Sequence, residues 1–295
     1  MTDAETPKNA RRERVALALG AGGARGLAQI GVIEALDARG FEIVAVAGSS
    51  SGALVGGIFA AGKLREFREG IERMSRGDFL RLLDPVLGRP GMIAGQRLVD
   101  AMREVVGDPR IETLPIQFTA IAVDLQRQRE VWLREGPLWD ALRASFAIPG
   151  LFTPHEVHGR ELVDGGLLAP LPIAATRLSD AHRLIAVDMH SRPKRPPGEP
   201  AASEDPPPAH ASRLGRWFDR RIGNPPGEIS LMETMSRALD TMQAQIARVQ
   251  LALDPPELVI EIPRDICQFY EFWRAKDAIV IGREEAEKAL DAAGY

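Results

Sequence analysis

The sequence predicts an α/β protein in which a parallel sheet is flanked by helices. Two observations carry this. Within the first sixty residues, two short apolar runs each end in glycine, as buried strands do before a turn. Each run is followed by a tight Gly- or Ser-rich turn and then by a segment with helical spacing, which makes a βαβα unit.

The elements follow in order. Residues 15–20 (VALALG) form the first strand and residues 20–26 (GAGGARG) the turn after it. Leu27, Ile30, Ile33 and Leu36 then repeat at steps of three, which reads as a helix, and Gly40 stands where a C-cap belongs. Residues 42–48 form the second strand, and residues 51–62 a second helix rich in small residues. Further strands are expected at 117–124, 130–133, 184–188 and 258–262, and further helices at 63–76, 95–106, 138–145 and 282–293. Residues 230–253 contain no helix breaker. Met232, Met235, Leu239, Met242, Ile246, Val249 and Leu253 alternate steps of three and four there, which predicts a long amphipathic helix. This stripe is expected to pack on the sheet, with a homodimer seam as the alternative.

Length and composition bound the rest. A chain of 295 residues is near the limit for one hydrophobic core, so a single domain over 14–295 is expected behind a disordered lead-in at 1–13. Residues 191–224 open with a proline-rich, charged stretch and end in a basic one around Trp217 and Phe218. They read as an insertion. The net charge of -4 argues against a nucleic-acid partner. The lone Cys267 allows no intrachain disulfide. No apolar segment has the form of a secretory signal or a spanning helix, so a cytoplasmic protein is expected, peripheral at most on a membrane.

Residues 48–52 read GSSSG and fit G-x-S-x-G with Ser50 at the centre. On a sharp strand-to-helix turn, the flanking Gly48 and Gly52 remove side chains that would clash, and the serine Oγ projects outward. The helix N-terminus adds partial positive charge where an oxyanion would develop. Ser51 is placed to offer its backbone N–H. The bland alternative is a plain tight connection with capping serines.

The glycine loop admits three readings. A dinucleotide site needs a sixth-position glycine, where Arg25 stands, and an acidic residue at the end of the next strand, where Gly48 stands. A P-loop needs G-K-[ST], which is absent. The third is an oxyanion hole, since adjacent Gly22 and Gly23 can turn their N–H groups toward a developing charge. Arg25 would then brace the loop or attract a phosphate head group.

A serine nucleophile needs a base. The five histidines, His155, His158, His182, His190 and His210, do not sit where an α/β-hydrolase carries its histidine. Asp164 follows a short apolar run and precedes Gly165 and Gly166, so it is expected on a tight turn close to another backbone. An aspartate is a weak base at its usual pKa near ~4, and a desolvated cleft would raise it. The competing explanation is an Asp-Gly turn with a capping carboxylate.

Taken together, Gly20-Ala21-Gly22-Gly23-Ala24-Arg25-Gly26, Gly48 to Gly52 and Asp164-Gly165-Gly166 resemble the patatin-like phospholipase family in order and spacing. The block from Arg143 to Gly166 and the segments LVIEIP and IVIGREEAEKAL are similar as well, so the resemblance runs from about Val15 to Leu290 apart from 191–224. It implies a three-layer α/β/α fold with a mostly parallel central sheet. It also implies a Ser50–Asp164 dyad acting on acyl esters of lipids or lysophospholipids, with Gly22, Gly23 and Ser51 holding the oxyanion, and no cofactor or metal. Ala21 departs from the glycine many members carry. An acyltransferase on the same fold and a non-catalytic lipid-binding module are the competing functions. Trp217 and Phe218 among arginines are a candidate membrane contact, set against a solvated basic helix.

Overall fold

A computed structural model describes residues 12–86, 88, 91–194 and 231–295. Most of the 1–13 lead-in and most of the 191–224 insertion, including Trp217, Phe218 and His210, lie outside the described residues. So does the side chain of Met232.

The strands are β1 (Arg14–Leu19), β2 (Glu42–Ser49), β3 (Gln117–Asp124), β4 (Arg129–Leu133), β5 (His155–Val157), β6 (Arg160–Asp164), β7 (Arg183–Ser191) and β8 (Leu258–Pro263). The helices are α1 (Ala28–Ala38), α2 (Ser51–Ala60), α3 (Leu64–Arg73), α4 (Arg76–Leu82), α5 (Gln96–Val106), α6 (Leu138–Ser145), α7 (Leu231–Leu253) and α8 (Ala275–Ala293). They form one eight-stranded sheet in the order β5-β6-β3-β2-β1-β7-β8, with β4 on β3. The pairs β2–β3, β1–β2, β1–β7 and β7–β8 are parallel, while β4, β5 and β6 enter antiparallel. The α/β class and the mostly parallel sheet are as the sequence predicts.

The pleat of β1 divides the core. Val15, Leu17 and Leu19 face a layer of large side chains that includes Ile33 and Leu36 of α1, Val55 and Ile58 of α2 and Ile279 of α8. Ala16 and Ala18 face the other way, with Ala45, Ala186 and Ala247. On that second face the sheet contributes Leu184 as well as these alanines, and Leu171, Ile173 and Leu251 pack there too.

This corrects the reading of α7. Ala244 and Ala247 are its buried positions, whereas Met235, Met242, Val249 and Leu253 of the predicted stripe are exposed. Leu239 and Ile246 of the stripe are half-buried.

Three other elements differ from expectation. The helix expected over 63–76 ends at Arg73, and a further short helix that was not expected, α4, starts at Arg76 after Ser75, whose hydroxyl caps it in a capping box with Asp78. The last helix starts at Ala275 rather than 282, because Gly282 is not a breaker. A Cβ there would fall on the Ala28 backbone, so the glycine lets α8 cross α1 closely. The β5–β6 hairpin turns through His158 and Gly159, both at positive φ, and its charged, short strands carry little apolar signal. No helix among the described residues is long and apolar enough to cross a membrane.

Gly52 is a tight requirement of the first βαβα unit. A Cβ on it would collide with the backbone carbonyl of Leu19. Gly52→Ala is therefore expected to cost about 1–3 kcal/mol of stability through overpacking against backbone that cannot yield. A thermal melt checks this, and an unchanged midpoint would refute it.

Candidate active site

Ser50 lies between β2 and α2 with φ 55° and ψ -123°, a conformation rarely adopted by a residue with a side chain. Such a backbone costs on the order of 1–3 kcal/mol and persists only where its surroundings fix it. Here the Ser50 N–H donates to Ser145 Oγ at 3.0 Å, and Ser145 in turn donates to the Ile121 carbonyl at 2.5 Å. The neighbouring Ser49 hydroxyl donates to the Ala169 carbonyl at 2.6 Å. The Ser50 side chain is left to point elsewhere.

It points at Asp164. Ser50 Oγ donates to Asp164 Oδ2 at 2.6 Å, and the Gly166 N–H donates to Asp164 Oδ1 at 2.6 Å. Strand register brings the two side chains together. The pair β2–β3 ends with Ser49 opposite Ile121, and the next residue, Ala122, is opposite Asp164 of β6. Since β4 pairs with β3 throughout 120–124, β2 and β6 must occupy consecutive stretches of the opposite edge. The residue after Ser49 and the last residue of β6 therefore meet where one partner strand gives way to the other.

Asp164 is buried, and burial pushes its carboxyl up to about 7, against the bonds from Ser50 and Gly166 that favour the carboxylate. Gly165 would place a Cβ on the Ile121 carbonyl, so the Asp164 turn does lie close to another backbone.

The glycine loop faces the same point. Gly20 and Ala21 donate their N–H groups to the carbonyls of Val187 and Pro170, and Ala24 donates to Phe269. Gly23 has φ 58°. The N–H groups of Gly22 and Gly23 have no acceptor among the described residues, and both residues line a cavity with Ser50 and Asp164. Ser51 begins α2, where the first-turn N–H groups have no helical partner. Gly26 packs on the Ser51 side chain.

Arg25 is buried, and its guanidinium is fully committed to protein. Nε donates to the Gly22 carbonyl at 3.1 Å, one terminal nitrogen to the Arg264 carbonyl at 3.2 Å, and the other to Asp240 Oδ1 at 2.7 Å. Of the two roles open to it from sequence, the geometry matches the loop brace. The Gln29 side chain adds a second brace, donating to the Gly20 carbonyl at 2.7 Å.

Four contributors were not found from sequence. Gln29 carried a signal, as a polar residue on the buried face of an apolar helix. Ser145, Asp240 and Gln243 carried none, since their roles depend on contacts with residues distant in the chain, 95 residues for Ser145 and 215 for Asp240. Gln243 of α7 lies over Gly166. None of the described histidines hydrogen-bonds Ser50 or Asp164. His190 is buried, and burial pushes its imidazole down to about 4. His155 pairs with Asp140 at 3.3 Å.

Two cavities meet at Ser50. The larger, about 200 Å³, lies under α3, α4 and α5 and is almost wholly apolar. The smaller, about 60 Å³, lies beside α7 and is lined by Arg25, Asp164, Asp240 and Gln243 among others. Gly23, Ser50, Ile148, Leu151 and Phe269 border both.

Comparison with known proteins shows the family to which the chain belongs. An uncharacterized NTE family protein of Mycobacterium bovis is 40% identical over 330 aligned residues, covering 95% of this chain and 92% of that protein. Lysophospholipase NTE1 of Saccharomyces cerevisiae is 30% identical over 195 residues, which span 63% of this chain but 11% of the yeast protein. Patatin-like phospholipase domain-containing protein 7 of Mus musculus is 31% identical over 188 residues, 60% of this chain and 14% of the mouse protein. Residues 17–177 match the family described as Patatin-like phospholipase, a stretch that holds the glycine loop, Ser50 and Asp164 and makes up more than half of the chain. The chain belongs to the patatin-like phospholipase family.

Proposed function

We propose that this chain is a serine hydrolase that cleaves acyl ester bonds of lipids, of phospholipase A or lysophospholipase type, through Ser50 and Asp164. The observation that carries the reading is the 2.6 Å hydrogen bond from a strained serine to a buried carboxylate whose pKa burial raises to about 7. A carboxyl at its ordinary pKa near ~4 would hold the serine proton too weakly, whereas one near neutrality suits general-base work. The apolar cavity reaching Ser50 supports an acyl substrate, and the name of the yeast relative, a lysophospholipase, supports the lipid class.

In this reading, Ser50 Oγ attacks the ester carbonyl carbon as its proton passes to Asp164 Oδ2. The carbonyl oxygen becomes an oxyanion held by the N–H groups of Gly22, Gly23 and Ser51. The intermediate collapses, the alkoxide leaves with the proton from Asp164, and the acyl group remains on Ser50. Water then attacks the acyl-enzyme while giving a proton to Asp164. Collapse returns that proton to Ser50 and releases the fatty acid. The acyl chain occupies the larger cavity and the departing alcohol the smaller one.

The test is labelling by a fluorophosphonate ester, with the full chain beside Ser50→Ala. Wild type is expected to label and Ser50→Ala to remain unlabelled. Equal labelling of the two would overturn the assignment. The pH dependence has a definite sign. Asp164 must be ionised to accept the proton, so kcat/KM is expected to rise with pH through an apparent pKa of about 7 and then level. A midpoint in the ordinary carboxylate range, near ~4, would refute a raised pKa at Asp164, and a profile with no ionisation between these two values would remove Asp164 as the base.

A further inference from the structure

The larger cavity does more than receive the first carbons of an acyl chain. On α3 its lining is Phe67, Gly70 and Ile71, positions three and four apart, hence one face of that helix, with Met74 just after it. On α5 it is Leu98, Ala101, Met102 and Val105, with the same spacing. The two helices thus turn matching faces toward one cavity, and at one place both faces carry small residues, Gly70 and Ala101.

The cavity lining starts from Ser50, which is 4% exposed, yet includes Gly70 and Val105, which are exposed. The cavity lining therefore extends from the buried serine to exposed residues of α3 and α5, and a second mouth would lie at the seam between these helices. Gly70 marks that mouth. A Cβ built on it meets no heavy atom within 4 Å, and its φ lies outside the left-handed region. Neither close packing nor backbone strain calls for glycine there, and glycine is a poor residue for a helix interior. A local choice that works against the helix without a packing reason is the kind found at functional positions.

We propose that the acyl chain held at Ser50 threads between α3 and α5 and emerges at this seam, and that Gly70, Ala101 and Val105 set the longest chain the protein takes. The proposal rests on the hydrolase reading for the point where the chain begins. It commits to one occupant, the distal methylenes of the substrate, because the channel is continuous with Ser50 and its lining at the seam is uncharged.

The test compares p-nitrophenyl palmitate with p-nitrophenyl butyrate as substrates of the full chain and of Gly70→Trp and Val105→Trp. Both positions are exposed, so the added ring does not enter packed core. Gly70→Ala serves as a control that folds at least as well as wild type. Each Trp variant is expected to lower kcat/KM for palmitate by about tenfold or more, the scale on which apolar pockets discriminate, and to leave butyrate unchanged. A palmitate-to-butyrate ratio that stays at the wild-type value in both Trp variants, or an equal loss with both esters, would overturn the channel while leaving ester hydrolysis demonstrated. If wild type cleaves neither ester, the hydrolase reading fails instead. The channel is then judged by binding of a fluorescent palmitate analogue to Ser50→Ala protein. Weakening of about tenfold by Gly70→Trp upholds it, and unchanged binding overturns it.

Discussion

Asp164→Asn is expected to lower kcat for ester hydrolysis by about ten-thousand-fold, the scale on which losing a properly ionised partner disables a serine nucleophile. The variant preserves shape. Its side-chain oxygen can accept from Gly166, and its amide can donate to Ser50 Oγ, but it cannot take a proton. The same substitution is expected to leave the fold intact and to stabilise it at alkaline pH. The folded-state pKa of Asp164 is raised above its unfolded value, so the folded chain holds this proton more tightly. The associated stability is fully present below the unfolded pKa and is lost as pH rises through about 7. Wild type therefore carries a destabilising buried charge under the conditions where it would be active, and Asn relieves it. Thermal melts near ~pH 5 and ~pH 8 should show the variant gaining on wild type as pH rises. A variant that keeps substantial turnover, or that gains no stability at the higher pH, would count against Asp164 as a buried base.

The second large effect is expected at Arg25. Arg25→Ala removes three hydrogen bonds that tie the glycine loop to Asp240 on α7 and to the Arg264 carbonyl after β8. The Gly22 and Gly23 N–H groups would then lose their fixed aim. The expected loss in kcat is about a hundredfold, comparable to deleting one oxyanion donor, with a smaller change in KM. Arg25→Lys should fail to rescue, because one ammonium on a flexible stem cannot replace a planar fork reaching three acceptors in fixed directions. The outcome distinguishes a brace from a head-group contact. A brace lowers kcat for every ester, whereas a head-group contact would raise KM for phospholipids and spare neutral esters.

The parts of the site that were legible in the sequence are those with local causes. Ser50 could be singled out from three adjacent serines because a strand precedes it, a helix follows it, and glycines flank it within two residues. Gly22 and Gly23 could be proposed as donors for the same reason. The start of α4 was also written locally, as Ser75 three residues before Asp78, although no helix was expected there.

What was not legible depends on packing and on distant register. The methionine stripe of α7 is the stronger hydrophobic signal, yet Met235, Met242, Val249 and Leu253 are exposed, while Ala247 packs with Ala16, Ala18, Leu184 and Ala186 of β1 and β7. Spacing shows that a helix has two faces but does not give which of them will meet the sheet. The sequence also showed Arg25 next to the candidate oxyanion loop while leaving two roles open. Asp240, 215 residues away, answers its charge.

By itself the sequence determined the chemical types at the site: a serine on a strained turn, a glycine loop with spare donors, and an aspartate before two glycines. Each follows from the steric demands of a short segment. The resemblance already named Ser50 and Asp164 as partners; how they come together was decided only by the tertiary structure. They lie 114 residues apart, and they meet because β2 and β6 share one edge of β3 and exchange places between Ile121 and Ala122. The raised pKa of Asp164 is likewise tertiary, since desolvation belongs to the packed layers around a carboxylate and not to the residues beside it in the chain.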